Sequence, residues 1–212
     1  MAGKLVIIGA GGHGRVCADV ASAAGFDVVG FCDSALDLGA EVNAINVIGR
    51  SPVDLSSSFD VGKTFAFVAL GDNARRIDIL NDIKEIGFRI PILVHPMASV
   101  SPSAEIGEGT VVVAQAAINA NAKIGRGCIL NTACSIDHDN VLEEGVQICP
   151  GVHAAGAVTF GEQAFVGTGA SIVPGVRVGA RAVVAAGAVV TSDVPDGLTV
   201  SGVPAVPVSD RG

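Results

Sequence analysis

A strict period of six runs through nearly half of this chain. Beginning at Val100 and advancing six residues at a time, the sequence gives Val100, Ile106, Val112, Ile118, Ile124, Leu130, Ile136, Leu142, Ile148, Ala154, Phe160, Val166, Ile172, Val178, Val184 and Val190. All sixteen are apolar, and the frame never slips. Half of the chain is hydrophobic, so such a run arises by chance with a probability of about one half to the sixteenth power, and a hexapeptide period is the signature of a parallel β-helix. Four residues after each of these positions stands a small residue, as at Ala104, Thr110, Ala116, Ala122, Cys128, Cys134 and Val146, with Asn140 the one polar exception. Each hexapeptide thus points one large and one small residue inward and then turns. Three hexapeptides close one coil, so sixteen make about five. Cys128 and Cys134 sit in the small slot and read as packing residues. The tail SDVPDGLTVSGVPAVPV leaves the frame and is expected to fold back over the last coil or along a neighbour, since a solenoid must cap its open end.

Composition agrees with thin, regular layers. There are eight Phe and no Trp or Tyr, so Val, Ile, Leu and Ala must fill the core. The formal net charge of −8 argues against nucleic acid, whose phosphates need a basic face. It leaves open one phosphorylated small molecule held by backbone N–H groups. Cys17, Cys32, Cys128, Cys134 and Cys149 are odd in number and lack a CxxC spacing, which points to free thiols, a cytoplasmic location and no metal site. No stretch reads as a signal peptide or a membrane span.

Residues 1–95 follow another pattern. KLVIIGA, FDVVGFCD and TFAFVALGDN read as strands, and Gly14–Ala24 and Ala74–Gly87 as helices, the second with Ile77, Leu80, Ile83 and Ile86 on one face. The alternation implies a small Rossmann-like α/β domain with a parallel sheet, with residues 96–212 as the β-helix domain. Gly9, Gly11 and Gly14 satisfy G-x-G-x-x-G between a strand and a helix, and Asp33 follows at the spacing of a dinucleotide fingerprint. Only one such half fits before residue 95, so a mononucleotide or nucleotide sugar suits the loop better than a dinucleotide. The helix N-terminus supplies N–H groups to phosphate, and Asp33 offers acceptors to a ribose or base.

The catalytic candidate is His138 in SIDHDN. It falls near a coil corner, where its ring can face outward, between Asp137 and Asp139. A carboxylate bonded to one imidazole nitrogen fixes the tautomer and raises the basicity of the other. Residues about eighteen apart stack on one face of a three-sided coil, which places Gly156 over His138. A glycine there is expected to leave room for a thin ligand and to aim its N–H at a developing oxyanion. His153 reads as structural.

GAGGHGRV, FCDS, LGDN, LVHP, INANAKIGRGCILNTACSIDHDNVL and SGVPA, in this order, resemble the bacterial sugar-nucleotide N-acetyltransferases, two-domain enzymes related to the sialic acid O-acetyltransferases. The resemblance covers essentially the whole chain. It implies a left-handed β-helix, a homotrimer with active sites between subunits, acetyl-CoA as donor, and a nucleotide-linked 4-amino-4,6-dideoxy sugar as acceptor. That acceptor would be GDP-perosamine or a UDP-4-amino sugar destined for a surface glycan. By motif, His138 resembles the general base, Asp139 the acid that tunes it, and Gly156 the residue whose N–H meets the thioester oxygen. Gln147, Thr168 and Ala186 fall where coenzyme A is contacted, Gln147 departing from a His seen in some relatives. Gly11, Gly12, His13, Asp33, Ser34, Gly71 and Asn73 fall where the nucleotide sugar is held, with Arg76 reaching toward its phosphates. Two other readings remain: O-acetylation of sialic acid or a related sugar, and a non-catalytic, nucleotide-binding trimeric scaffold.

Overall fold

Residues 3–208 are described by a computed structural model. The chain divides between Pro96 and Met97 into two compact units. In the first, apolar runs that stop at a glycine or aspartate form the strands. In chain order the elements are β1 (Gly3–Ile8), α1 (Gly12–Ala23), β2 (Phe26–Cys32), β3 (Glu41–Val42), β4 (Ile45–Gly49), α2 (Pro52–Ser56), β5 (Phe65–Val68), α3 (Asn73–Ile86) and β6 (Leu93–Val94). Five strands lie in the order β3-β4-β2-β1-β5. The sheet is parallel from β4 to β5, and β3 pairs antiparallel with β4. Val6 and Ile8 of β1 pack with Ile77, Leu80 and Ile83 of α3, while Leu5 and Ile7, on the other face, are also fully buried. The loops after β1, β2 and β5 therefore all emerge at the carboxyl edge of the parallel strands, where open α/β sheets bind ligands.

The hairpin and α2 fill residues 41–56, a stretch that the coarse alternation of strand and helix leaves unassigned. Asn43 and Ala44 both have positive φ and make the two-residue turn of the hairpin. Ser51 and Asp54 form a reciprocal capping box around Pro52 at the start of α2.

In the second unit the period of six becomes sixteen two-residue strands, β7 to β22, from Ser99–Val100 to Val189–Val190. From Ser99–Val100 to Ser171–Ile172, each strand pairs in parallel with the one eighteen residues on, as Ser135–Ile136 does with His153–Ala154. Every third strand thus shares a sheet, and three parallel sheets wrap a core made of the sixteen apolar positions and the small residues four beyond them. From Gly109 to Gly187 the third residue after each large one takes the left-handed conformation. Glycine fills it at 109, 127, 145, 151, 169, 175 and 187, and Asn121 and Asp139 occupy it at φ 59 and 60, side chains tolerated there more readily than most.

The tail continues the stack. Val194 still fills a small slot and bridges to Val178, β23 (Thr199–Ser201) adds in parallel to Val183–Val184, and β24 (Val206–Pro207) folds back antiparallel on β23. The expected closure over the last coil is thus one further in-line strand followed by a short return. Among the described residues no helix is long and apolar enough to cross a membrane.

Phe160 is the one aromatic residue in the large slots and is fully buried. Its replacement by alanine removes a ring from a core that cannot collapse without breaking coil register. The expected cost is about 3–5 kcal/mol, measured by urea unfolding at fixed protein concentration.

Candidate active site

Two constellations stand out, one in each unit. In the β-helix, the strand Ser135–Ile136 delivers the chain to a corner formed by Asp137, His138, Asp139 and Asn140. The His138 side chain is 60% exposed, and its Nδ1 lies 2.9 Å from Asp139 Oδ2. With Asp139 accepting from Nδ1–H, the lone pair falls on Nε2. His138 is held above its ordinary pKa by the Asp139 hydrogen bond first, and then by the charge of Asp137. Its backbone N–H donates to Asp137 Oδ1 at 2.8 Å.

Sequence reasoning missed the support beneath this corner. One coil earlier, Asn119 Nδ2 donates to Asp137 Oδ1 at 3.1 Å and Asn121 Nδ2 donates to Asp139 Oδ1 at 3.2 Å. Both carboxylates flanking His138 are therefore oriented by asparagines exactly one turn of the helix away in register. The interval of eighteen, applied to residues 119, 121, 137 and 139, is the signal that finds them.

Gly156 stacks on His138 as the interval requires, but the space it provides is already used. A Cβ at position 156 would lie 2.5 Å from His138 Nε2 and closer still to Cε1. The glycine accommodates the imidazole ring itself, which corrects the expectation that the gap is left for a ligand. The Gly156 N–H has no acceptor among the described residues. Neighbouring N–H groups bond along the coil, Ala155 to Ile172 and Ala157 to His138 carbonyls, so the residue between them keeps its donor for another group.

Gln147, Thr168 and Ala186 lie elsewhere. Thr168 and Ala186 stack on a different corner, exposed, with the Gly187 N–H bonded to the Thr168 carbonyl. Gln147 lies on the sheet leading to that corner. Its Oε1 is buried without a partner among the described residues, and its Nε2 faces Cys149 Sγ at 3.9 Å. One chain therefore joins His138, Asp139 and Gly156 and separates them from the other three.

In the first unit, the three loops at the carboxyl edge hold the remaining candidates. Gly9 has φ 101, and a Cβ there would meet the Ala69 carbonyl at 2.8 Å; at Gly14 it would strike the Gly9 carbonyl. Gly14 thus serves helix–strand packing. Gly11 and Gly12 are open, and Gly11 caps α1 without a side-chain bond, which leaves first-turn N–H groups facing outward. α1 begins at Gly12, so His13 belongs to the helix and not to the turn before it. His13 Nε2 lies 3.5 Å from Cys17 Sγ. Burial first, then the charge of Arg76, lowers its pKa to about 4, so it is neutral at pH 7.

Asp33 accepts from the Ala10 N–H at 2.8 Å and the Ala35 N–H at 2.9 Å. It ties the end of β2 to the glycine loop and spends two of its acceptor sites doing so. Asp33 and Ser34 line a cavity of about 430 Å³ together with Arg50 and Arg75; Gly11, Gly12, His13, Gly71 and Asn73 lie outside its lining. Arg76 does not face it. Its guanidinium is buried and donates to the Leu70 carbonyl and to Asn73 Oδ1, each at 2.9 Å. The reason is helical spacing: residues 73, 76, 80 and 83 share one stripe, which faces the core. The arginine side chains that line the cavity are Arg50 and Arg75, and Arg50 is also paired with Asp37 at 2.9 Å.

Residues 4–83 match the family described as the PglD N-terminal domain. Over nearly the whole chain, the structure resembles the acetyltransferase domain of PglB from Neisseria gonorrhoeae FA1090, solved in complex with acetyl coenzyme A. The TM-score is 0.92 at 42% identity, covering 97% of this chain and 98% of that one. A histidine-to-alanine variant of GDP-perosamine N-acetyl transferase from Caulobacter crescentus, in complex with CoA and GDP-perosamine, gives a TM-score of 0.94 at 38% identity, covering 98% of each chain. Curated relatives match over shorter stretches. The 2,3,4,5-tetrahydropyridine-2,6-dicarboxylate N-acetyltransferase of Staphylococcus aureus is 50% identical over 52 residues, which is 24% of this chain and 22% of that protein.

Proposed function

This chain belongs to the bacterial sugar-nucleotide N-acetyltransferases, an α/β domain joined to a left-handed β-helix, and from that premise we propose that it transfers acetyl from acetyl-CoA to the 4-amino group of a nucleotide-linked 4-amino-4,6-dideoxy sugar. The observation that carries the reading is the corner at which Asp139 orients His138 over Gly156. His138 Nε2 takes a proton from the sugar amine as the amine nitrogen attacks the thioester carbonyl. The tetrahedral oxyanion is met by the Gly156 N–H. The C–S bond then breaks, the amide remains on the sugar, and coenzyme A leaves as a thiolate that recovers the proton. No covalent enzyme intermediate is needed.

The acceptor's nucleotide is assigned to the carboxyl edge of the first unit's sheet. Gly11, Gly12 and His13 at the start of α1 and Asp33, Ser34, Gly71 and Asn73 in the adjoining loops hold it, and Arg75, rather than Arg76, serves its phosphates. The donor is assigned to Gln147, Thr168 and Ala186. These lie on a different corner from His138 and Gly156 within one chain, so a single acetyl-CoA meets both sets where two copies abut. This supports a homotrimer, which light scattering reports as three times the chain mass of 21.1 kDa. A cytoplasmic location is part of the proposal, supported by five buried cysteines that are all free.

The direct test is release of coenzyme A thiol with a panel of GDP-, UDP- and dTDP-linked amino sugars. Turnover with free sialic acid alone would replace this reading by O-acetylation. Failure of acetyl-CoA to bind in calorimetry would replace it by a non-catalytic scaffold.

A pH profile adds a check. The neutral form of His138 is the base, and its pKa is raised, so kcat/KM is expected to fall as pH drops through a value above 6.5, the ordinary histidine value. Asp139→Asn removes the main cause of the shift. The acid limb should move to lower pH, while turnover at neutral pH falls by about 10-fold up to the full ~10²–10⁴-fold of general base catalysis.

A further inference from the structure

The small slot carries Ala, Val, Cys or Thr everywhere except at position 140, where the asparagine side chain is completely buried. An amide inside an apolar core is costly unless it is hydrogen-bonded. Asn140 Nδ2 donates to the Asp137 carbonyl at 2.7 Å and to the Ala155 carbonyl at 2.9 Å, and its Oδ1 accepts from the Val158 N–H at 3.2 Å. Two of these three partners belong to the next coil.

In many of the other turns the equivalent two groups bond each other, although not at 143–146 or 173–176. In the turns 113–116, 119–122 and 167–170, the N–H of the small-slot residue donates to the carbonyl three residues back, at 3.3, 3.3 and 3.2 Å. In the turn 155–158 the equivalent groups are the Val158 N–H and the Ala155 carbonyl. Both bond instead to the Asn140 amide, which stands between them. The turn that carries Gly156 is therefore bridged by a side chain from the turn that carries His138. The bond to Asp137 anchors that side chain in its own turn. Thr110 bridges the turn 125–128 similarly, donating to the Gly125 carbonyl at 2.9 Å and accepting from the Cys128 N–H at 3.0 Å.

We propose that Asn140 is a positioning residue that sets the spacing between the His138 ring and the Gly156 N–H, and so the fit of base and oxyanion donor to one reacting carbonyl. The proposal rests on the roles given to His138 and Gly156 above. Asn140 touches no reactant; it acts through two turns.

Two variants test it. Asn140→Val fills the slot as valine does at 146, 152 and 158 but bridges nothing, and Asn140→Thr restores a bridge of the Thr110 kind. The valine variant is expected to lose about 10²-fold in kcat, the scale of a misplaced donor or reactant, and to keep acetyl-CoA affinity within about threefold. The threonine variant should recover most of the lost kcat. A valine variant with kcat within about threefold of the parent, or valine and threonine variants that lose kcat equally, would overturn the proposal. If the parent itself acetylates no nucleotide amino sugar, the reading of the site has failed instead. Crystal structures of parent and valine variant then still decide the positioning: closure of the 155–158 turn with a changed His138–Gly156 spacing supports it, and an unchanged spacing overturns it.

Discussion

His138→Ala is expected to lower kcat by about 10²–10⁴-fold, the contribution of a positioned general base, while the fold stays intact. The structural reason for the second half is exposure. With its side chain 60% exposed, His138 fills no core position, and its side-chain hydrogen bond goes to the equally exposed Asp139. Truncation leaves Ile136 and Leu142, the inward residues on either side, as they were. Melting temperature and oligomer mass should therefore match the parent. Acetyl-CoA affinity in calorimetry should change little, because the proposed donor contacts at Gln147, Thr168 and Ala186 do not involve the ring. The acid limb of the pH profile should also disappear, since the group that produces it is gone. Near-parent turnover in this variant, with the fold verified, would remove His138 from the mechanism.

The β-helix was legible because its physics is periodic. One large and one small inward residue per strand repeat without insertion from Val100 to Val194, and the structure places them in the core, with Val100, Ala104 and Ile106 of the first coil at the margin. The interval of eighteen follows from three strands per coil, and it is enough to place Gly156 over His138. What it did not supply was the content of the gap. Whether a ring or a ligand occupies the space beside a glycine depends on a rotamer, and sequence spacing carries no rotamer. The same limit explains Arg76. The family resemblance directed Arg76 toward the phosphates, but one helical position separates an arginine facing the cavity from one facing the core. The helix stripe containing Leu80 and Ile83 claimed residue 76 and left Arg75 outside. Asp33 was placed at the right strand end, yet its bond to the Ala10 N–H is a contact between loops twenty-three residues apart, which no local pattern announces. Asn140 was visible as an exception to the small slot; its meaning needed the hydrogen bonds of the neighbouring turn.

Gly156→Ala is expected to reproduce the kinetic defect of His138→Ala with little loss of stability. A Cβ at 156 would sit 2.5 Å from His138 Nε2, whereas packed carbon atoms approach at about 3.5–4.0 Å. Something must move, and the geometry says what. Elsewhere in the coils, a Cβ at Gly107, Gly125, Gly161 or Gly167 would meet backbone atoms of the next coil at 2.5–2.9 Å, so substitution there strains the stack itself. At Gly156 the three nearest obstacles all belong to the imidazole, and its φ lies outside the left-handed region. Alanine is accommodated by swinging an exposed ring outward, at the expense of its bond to Asp139. Off-rotamer or exposed alternatives cost about 0.5–1.5 kcal/mol, small against a folded coil but enough to empty the catalytic position. The expected result is a kcat loss of about 10²–10⁴-fold with a melting temperature near that of the parent. The double variant should then lose almost nothing more, because both substitutions remove one and the same base; residues that act as a unit are strongly non-additive. Losses that multiplied in the double variant would mean that the substitution at 156 acts independently of His138, by displacing the N–H or by crowding the reactants with its methyl.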